Sequence, residues 1–383
     1  VIRALISDFT FISPLGGNER DFCEKLFSGT SGIREIDGQF GPGFPIRAVG
    51  LIEELKGNFN PIPAAKNLLQ KLLSRTSTKR KIDGVVFFIP PEDELSTITE
   101  RLRSVDGQID FLKNIIEEET GQLISQENFL SLNEACVTGI SSLSLAAQRI
   151  RAGIWDRVLV LGVDLRCSPL DLLRMHSLGA LSTRATPASM ASCPFSKERD
   201  GFVKAQGGAA FLLENSGSCQ NAPWGEIVGY GQSADAFRLT DGRPDGKVAA
   251  KAILRAMSMA GMSADGIDCI SAHATSTRLG DALEARVIRS IWKESAEMVP
   301  VTALKSQLGH AAQAAGLLQV VAGLFMLCRQ EISPTINLNL LDPLCDLNHI
   351  SNCSRAAKLT TILCNSHAFG GQNAALILRG IDR

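Results

Sequence analysis

From Ala311 to Cys328 the chain runs without a formal charge, with Gln313 and Gln319 as its only polar side chains and Arg329 at its end. A helix that is apolar on every face must be surrounded, either by lipid or by the core of a large body. The two glutamines and the richness in Ala and Gly point to a helix buried in a large core, with no membrane span. The length fits such a core: 383 residues make two ordinary domains or one large α/β body. A hydrophobic share of 45% with 21% charged residues describes a well-buried globular chain. The net charge of -1 implies no basic face and argues against a nucleic-acid partner.

Elsewhere, segments with strand character alternate with segments of helical period, which indicates an α/β fold. Helices are expected at Asp21–Phe27, Ala64–Leu73, Leu112–Glu119, Gly139–Arg149 and Gly309–Leu327, and a solvated basic turn at Lys79–Lys81. Strands are expected at Asp83–Ile89, Phe129–Asn133 and Val299–Thr302. The continuous apolar run Arg157–Val163 reads as a fully buried strand. A weak internal echo runs through these elements. Ile267–Ser271 parallels Ile82–Val86, and the strand and helix at 299–327 parallel those around Cys136. Thr361–Asn365 through Ala374–Leu378 parallels Arg199–Phe202 through Ala209–Leu213. Two similar halves, 1–215 and 216–383, would bring the ends of equivalent elements face to face.

Ten cysteines occur without a CxxC pair or any Cys/His spacing suited to a metal. The expectation is therefore no metal, no cofactor, and reduced thiols in a cytoplasmic protein. Arg3 and Asp8 break any signal-like run at the start. One cysteine stands out by position. Cys136 follows the strand Phe129–Asn133 and precedes a nearly uncharged helix on which Leu143, Ala146, Ala147 and Ile150 repeat at helical spacing. A helix start favours negative charge, so a thiolate and an oxyanion are both at home there. Taken alone, Cys136 could equally be a small apolar core residue.

Of the five histidines, two lie in motifs dense in small residues: Ser271-Ala272-His273-Ala274-Thr275-Ser276-Thr277 and Lys305-Ser306-Gln307-Leu308-Gly309-His310. A third turn, Asn365-Ser366-His367-Ala368-Phe369-Gly370-Gly371-Gln372-Asn373, precedes the last strand. The order Cys136, His273, Lys305, His310, together with Arg199-Asp200-Gly201-Phe202-Val203 and the closing Phe369–Asn373 loop, resembles the elongating β-ketoacyl-acyl carrier protein synthases. The resemblance runs from Ser13 to Leu378. Initiating-type synthases use Cys-His-Asn and degradative thiolases need a second catalytic Cys near the C-terminus; both fit less well.

The resemblance implies a thiolase-like α/β fold: duplicated βαβαβ halves with buried central helices, layered α-β-α-β-α. It implies decarboxylative condensation of a Cys136-bound acyl chain with malonyl-acyl carrier protein, in a homodimer or a heterodimer with a second ketosynthase-like chain. His273 and His310 would hold the thioester oxygen as charge builds, and Lys305 would orient and tune His310. The N–H groups of Cys136 and Phe369 would hold the second oxyanion, and Phe369 would gate the pocket. Thr275, Thr277, Phe202 and His367 are expected to line the substrate path. Asp200 and Asp281 are expected to tie turns together, and His176 and His349 to be surface or structural residues. Two other readings share the fold: a chain-length-factor-like partner subunit, and a Cys-dependent acyltransferase or thioesterase.

Four residues depart from the family pattern. Glu134 stands where a small residue or Thr is usual and, along a strand, would share a face with Cys136. Gln319 replaces a carboxylate expected to partner Lys305, Ala274 replaces a Gly, and His367 replaces a Phe. An imidazole facing a saturated acyl chain would lack a partner, so His367 hints at a polar or unsaturated substrate and a specialised pathway.

Overall fold

The structure is a computed structural model that describes residues 2–36, 40–41, 43–55, 57–76, 80–90, 100–184, 187–220 and 222–381. Lys79 of the expected basic turn lies outside the described residues. The strands of the main sheet are β1 (Ala4–Ile12), β2 (Gly84–Phe88), β3 (Phe129–Ser131), β4 (Arg157–Asp164), β5 (Gly207–Asn215) and β6 (Gly225–Ala234). They continue with β7 (Cys269–Ser271), β8 (Pro300–Thr302), β9 (Asn348–His349), β10 (Thr361–Ala368) and β11 (Gln372–Arg379). The spatial order is β9-β8-β7-β10-β11-β6-β1-β5-β4-β2-β3.

That order contains the same pattern twice. β3, β2 and β4 pair in parallel, and β5 and β1 then follow antiparallel. β8, β7 and β10 likewise pair in parallel, with β11 and β6 antiparallel. Ala4 to Ile6 against Gly225 to Ile227 joins the two sets through β1 and β6. The echo of β7 with β2 and of β8 with β3 is thus real. The echo of Thr361–Asn365 with Arg199–Phe202 is not: β10 corresponds to β4, and Arg199–Phe202 is a turn ahead of β5. Arg199 holds that turn by donating to Ser196 O and Asp342, both at 2.7 Å, and to Arg278 O at 3.0 Å. We propose that residues 1–215 and 216–383 are the two halves of this repeat.

Six helices give the layers. α1 (Pro61–Arg75) starts at an Asn60 cap with Pro61 in its first turn, and α2 (Val105–Thr120) runs from a Ser104 cap to Gly121 in the left-handed region. Both cover one outer face, with Leu68, Leu72, Leu112 and Ile116 packed on Val85, Phe87, Leu159 and Leu161. α4 (Lys247–Ala260) and α5 (Arg278–Trp292) cover the other outer face, where Ile253, Ala285 and Ile288 meet Ile270, Leu363 and Ile377. Between them lie α3 (Thr138–Arg151) and α6 (Ala315–Arg329). α6 is buried from Ala315 to Leu327, which accounts for its lack of charge. With the turn Ala312–Ala314 ahead of it, α6 forms the one helical stretch among the described residues, Ala312–Arg329, long and apolar enough to cross a membrane, and 83% of that stretch is buried inside the protein.

The two central helices cross backbone to backbone. A Cβ on Gly139 would meet Leu317 N at 2.8 Å, and one on Gly316 would meet Ile140 N at 2.8 Å. Each glycine is therefore required by the other helix. Helix formation does not reach back to Gly309 as expected. Lys305–Leu308 forms a single turn, Gly309 takes φ 74°, and Ala312 takes φ 41° before α6 begins. This broken approach presents His310 to the site.

Candidate active site

Cys136 sits in a tight turn, Ala135–Val137, between β3 and α3. Ala135 is held at φ 49°, a conformation that costs a non-glycine residue about 1–3 kcal/mol and persists only where surrounding bonds impose it. Those bonds are present. The Thr138 hydroxyl donates to Ala135 O at 2.7 Å and accepts from Glu134 N at 2.8 Å. Gln313 Nε2, from the other half, donates to Asn133 Oδ1 at 2.8 Å. The turn lifts the sulfur into a cavity of about 1230 Å³ shared by both halves. His273, His310, Phe202, Thr275, Thr277, His367 and Phe369 all border this cavity.

His310 Nε2 lies 3.1 Å from Cys136 Sγ. Among the described residues its Nδ1 is buried without a hydrogen-bond partner. A buried N–H without an acceptor is rarer than a lone pair without a donor, so the proton belongs on Nε2, facing the sulfur. The His273 ring stands perpendicular to that of His310, with centroids 5.4 Å apart. Its Nδ1 is 3.4 Å from Ser366 Oγ, and Ser366 donates to Cys136 O at 3.1 Å. Burial lowers both imidazoles well below the ordinary histidine value, and Lys305 pushes each in the same direction. Both rings are therefore neutral near pH 7. Phe202 packs edge-on to His310 at 5.3 Å, and the Thr275 and Thr277 hydroxyls lie 3.2 Å apart.

Several expectations about neighbours need correction. Glu134 does not share a strand face with Cys136, because β3 ends at Ser131 and the cysteine is in the turn; Gln232 Nε2 lies 3.4 Å from its carboxylate. Burial pushes the Cys136 thiol up, and Lys204, Lys305 and Arg166 pull it back while Asp164 opposes them. The helix start alone therefore does not make a thiolate here. Lys305 does not touch His310: its Nζ donates to His273 O at 2.5 Å, and it is absent from the cavity wall. Its action on His310 is electrostatic.

Gln319 does not partner Lys305 either. Its amide donates to Ser271 O at 2.5 Å, closing the end of β7. The carboxylate near Lys305 is Glu284 on α5, which sequence reasoning missed. Burial lowers the Lys305 amine to about 8, and Glu284 leads the charges that oppose this. Glu284 also accepts from His273 N and Ala274 N, both at 2.7 Å, and from Asn365 Nδ2 at 2.8 Å. The available signal was a second acidic residue one turn beyond Asp281, between the apolar positions Leu283 and Ala285. As expected, Asp281 ties a turn, accepting from Phe195 N at 2.8 Å. His349 packs on Phe195 with centroids 4.5 Å apart, and His176 lies on an outer helix, Pro169–Ser177.

His367 is not an unmet imidazole. Nδ1 donates to Asn373 Oδ1 at 2.7 Å, and Nε2 accepts from Asn365 Nδ2 at 3.0 Å. Asn373 is itself fixed by donating to Asp235 Oδ1 and Gly371 O, so the tautomer follows from the network. The premise that a saturated chain would strand this ring fails. His367→Phe instead strands two amides of the closing loop, and we expect it to lower stability by about 1–3 kcal/mol. The measurement is the denaturant midpoint; an unchanged value would return His367 to a purely pocket-lining role.

Comparison with known proteins agrees with this geometry. Residues 130–217 match the description "Beta-ketoacyl synthase, N-terminal domain" and residues 224–339 match "Beta-ketoacyl synthase, C-terminal domain". The 3-oxoacyl-[acyl-carrier-protein] synthase 2 of Vibrio harveyi is 32% identical, over 99% of this chain and 99% of its own. The chain belongs to the β-ketoacyl synthase family. The enzyme of the same description from Coxiella burnetii is 29% identical over 98% of both chains. Among solved structures, a type II polyketide ketosynthase in complex with its acyl carrier protein, bound to the hexaketide, superposes with a TM-score of 0.87. It is 26% identical and covers 99% of this chain and 100% of its own. The ishigamide ketosynthase/chain length factor gives 0.84 at 25% identity, covering 100% of both chains. The synthase accordingly has the thiolase fold and is an acyl-chain-elongating condensing enzyme.

Proposed function

We propose that Cys136 accepts the acyl chain from a carrier-protein thioester and that His273 and His310 activate malonyl-carrier protein. The observation that carries this reading is the 3.1 Å contact of His310 Nε2 with Cys136 Sγ, with the perpendicular His273 ring beside it. In the first half-reaction Cys136 gives up its proton and the thiolate attacks the thioester carbonyl; the carbon–sulfur bond to the carrier breaks, and the carrier thiolate leaves and takes up a proton. In the second, the bond from the malonyl α-carbon to its carboxylate breaks and CO₂ leaves. The electron pair passes into an enolate whose oxygen needs donors. Neutral imidazoles suit that task. The lack of an acceptor at Nδ1 leaves the His310 proton on Nε2, where it can meet that oxygen. The carbanion then attacks the acyl-Cys136 carbonyl. The tetrahedral oxygen rests between the Cys136 and Phe369 N–H groups, and collapse expels the Cys136 thiolate, which regains a proton.

In this reading Thr275 and Thr277 flank the pantetheine path, Phe369 gates the acyl side, and Lys305 is a positioning residue held against the His273 carbonyl. The partners are an acyl carrier protein and a second ketosynthase-like chain, identical or not, in the cytoplasm. A chain-length-factor role is disfavoured by the Cys136 and histidine set. A plain acyltransferase or thioesterase would have no need of the malonyl pair. Replacing His273 or His310 by Ala should depress CO₂ release from malonyl-carrier protein by roughly 10²-fold or more while part of Cys136 acylation survives. Unchanged CO₂ release would sink the assignment of the histidines.

A further inference from the structure

Lys204 is a lone cation in the otherwise uncharged stretch Gly201–Leu213, and beyond its pull on the Cys136 thiol none of the chemistry above uses it. It follows Phe202 by two residues on an extended segment whose backbone pairs with His310. Residues two apart on such a segment share a face, and both side chains border the Cys136 cavity. Lys204 is 5% exposed. The nearest carboxylate oxygen, Asp164 Oδ1, is 3.9 Å from its ammonium, too far for a hydrogen bond.

Asp164 is already engaged. It accepts from Arg166 Nε at 3.1 Å, Arg166 Nη2 at 2.6 Å, Arg166 N at 3.2 Å and Gln313 N at 3.2 Å. Among the described residues the Lys204 ammonium therefore donates no hydrogen bond. A nearly buried cation with no acceptor is costly unless something that enters the cavity supplies one. Arg166 also borders the cavity, so the wall beside Cys136 presents donors among its apolar side chains.

Building on the proposed condensation, we propose that Lys204, backed by the Arg166–Asp164 pair, recognises an acceptor oxygen of the acyl group. The chain loaded on Cys136 then bears a carbonyl or carboxylate oxygen within a few bonds of its thioester. A saturated chain would leave the ammonium stripped of water and unmatched. Lys204 is not needed to hold Asp164, since Arg166 does so in bidentate geometry. It is a specificity residue for the acyl half-reaction and takes no part in bond making.

The test is a competition among four-carbon acyl groups on carrier protein: butanoyl, 3-oxobutanoyl, and 3-carboxypropanoyl, with malonyl-carrier protein as extender. Wild type should favour one of the oxygen-bearing groups over butanoyl by on the order of 10-fold or more in kcat/KM, because a site built to bond an oxygen rejects the analogue without it. Which of the two is favoured tells a neutral carbonyl from a carboxylate. Lys204→Met should collapse the ratio by about 10-fold or more, while Lys204→Arg keeps most of it. A ratio cancels any general loss of activity. If the methionine variant is insoluble, Lys204→Gln is read in the same way. A ratio equal in wild type and variant, or a wild-type preference for butanoyl, overturns the assignment of Lys204. No product from any of the three in wild type would instead overturn the proposed condensation itself.

Discussion

Cys136→Ala removes acyl loading and lowers condensation by about 10⁴-fold or more, while CO₂ release from malonyl-carrier protein stays within about tenfold of wild type. The separation follows from where the groups sit. The sulfur is the sole thiol among the described residues of the cavity wall, but the donors for the enolate belong to other elements: His273 follows β7, and His310 follows the single turn before α6. Removing a sulfur from the Ala135–Val137 turn leaves the brace from Thr138 to Ala135 O intact. The Ser366 bond to Cys136 O also survives, because it uses the backbone. Intact-mass measurement after incubation with an acyl-carrier protein should show one acyl adduct on wild type and none on the variant. Equal labelling would mean that another of the ten cysteines carries the chain. Loss of CO₂ release together with loading would mean that the sulfur, and not the imidazole pair, organises the malonyl site.

The large features were legible in the sequence because they depend on local pattern. An uncharged helix must be enclosed, a continuous apolar strand must be central, and Gly-dense turns must follow strands. What escaped was set by contacts between distant segments. Glu284 looks like one more acidic residue on a helix, and only folding places it under the His273 and Ala274 N–H groups. Lys305 reads in the sequence as a neighbour of His310, but a side chain one turn ahead of His310 in sequence points to His273 in space. His367 reads in the sequence as facing an apolar substrate because its amide partners are hidden there: Asn365 shares its face of β10, and Asn373 on β11 meets it only once the two strands pair. Lys204 could have been noticed in the sequence as a lone charge among apolar residues. Its lack of an acceptor is a fact of three dimensions.

Glu284→Ala should be the most destabilising single substitution at the site, costing about 3–5 kcal/mol at neutral pH, as for other buried ionic groups that lose one partner. Glu284 is 1% exposed and accepts three hydrogen bonds, so the variant leaves two backbone donors and the Asn365 amide without their acceptor. It also removes the leading charge that supports a protonated Lys305. The pH dependence separates these two losses. Burial brings the folded-state Lys305 amine down to about 8 from its ordinary value of 10.5. Between those values the unfolded chain holds a proton that the folded chain has released, so this residue's contribution makes stability rise with pH. Below about pH 8 the folded chain carries the charged amine and depends on Glu284. Towards pH 10.5 the amine is neutral and that dependence disappears. The cost of Glu284→Ala should therefore be largest near pH 7 and shrink as the pH rises past 8, leaving only the part due to the three stranded donors. Denaturant midpoints of wild type and variant at pH 7 and pH 9.5 measure this directly. A cost that stays constant across that range would show that Glu284 holds the His273 turn through hydrogen bonds alone, with Lys305 compensated by other groups.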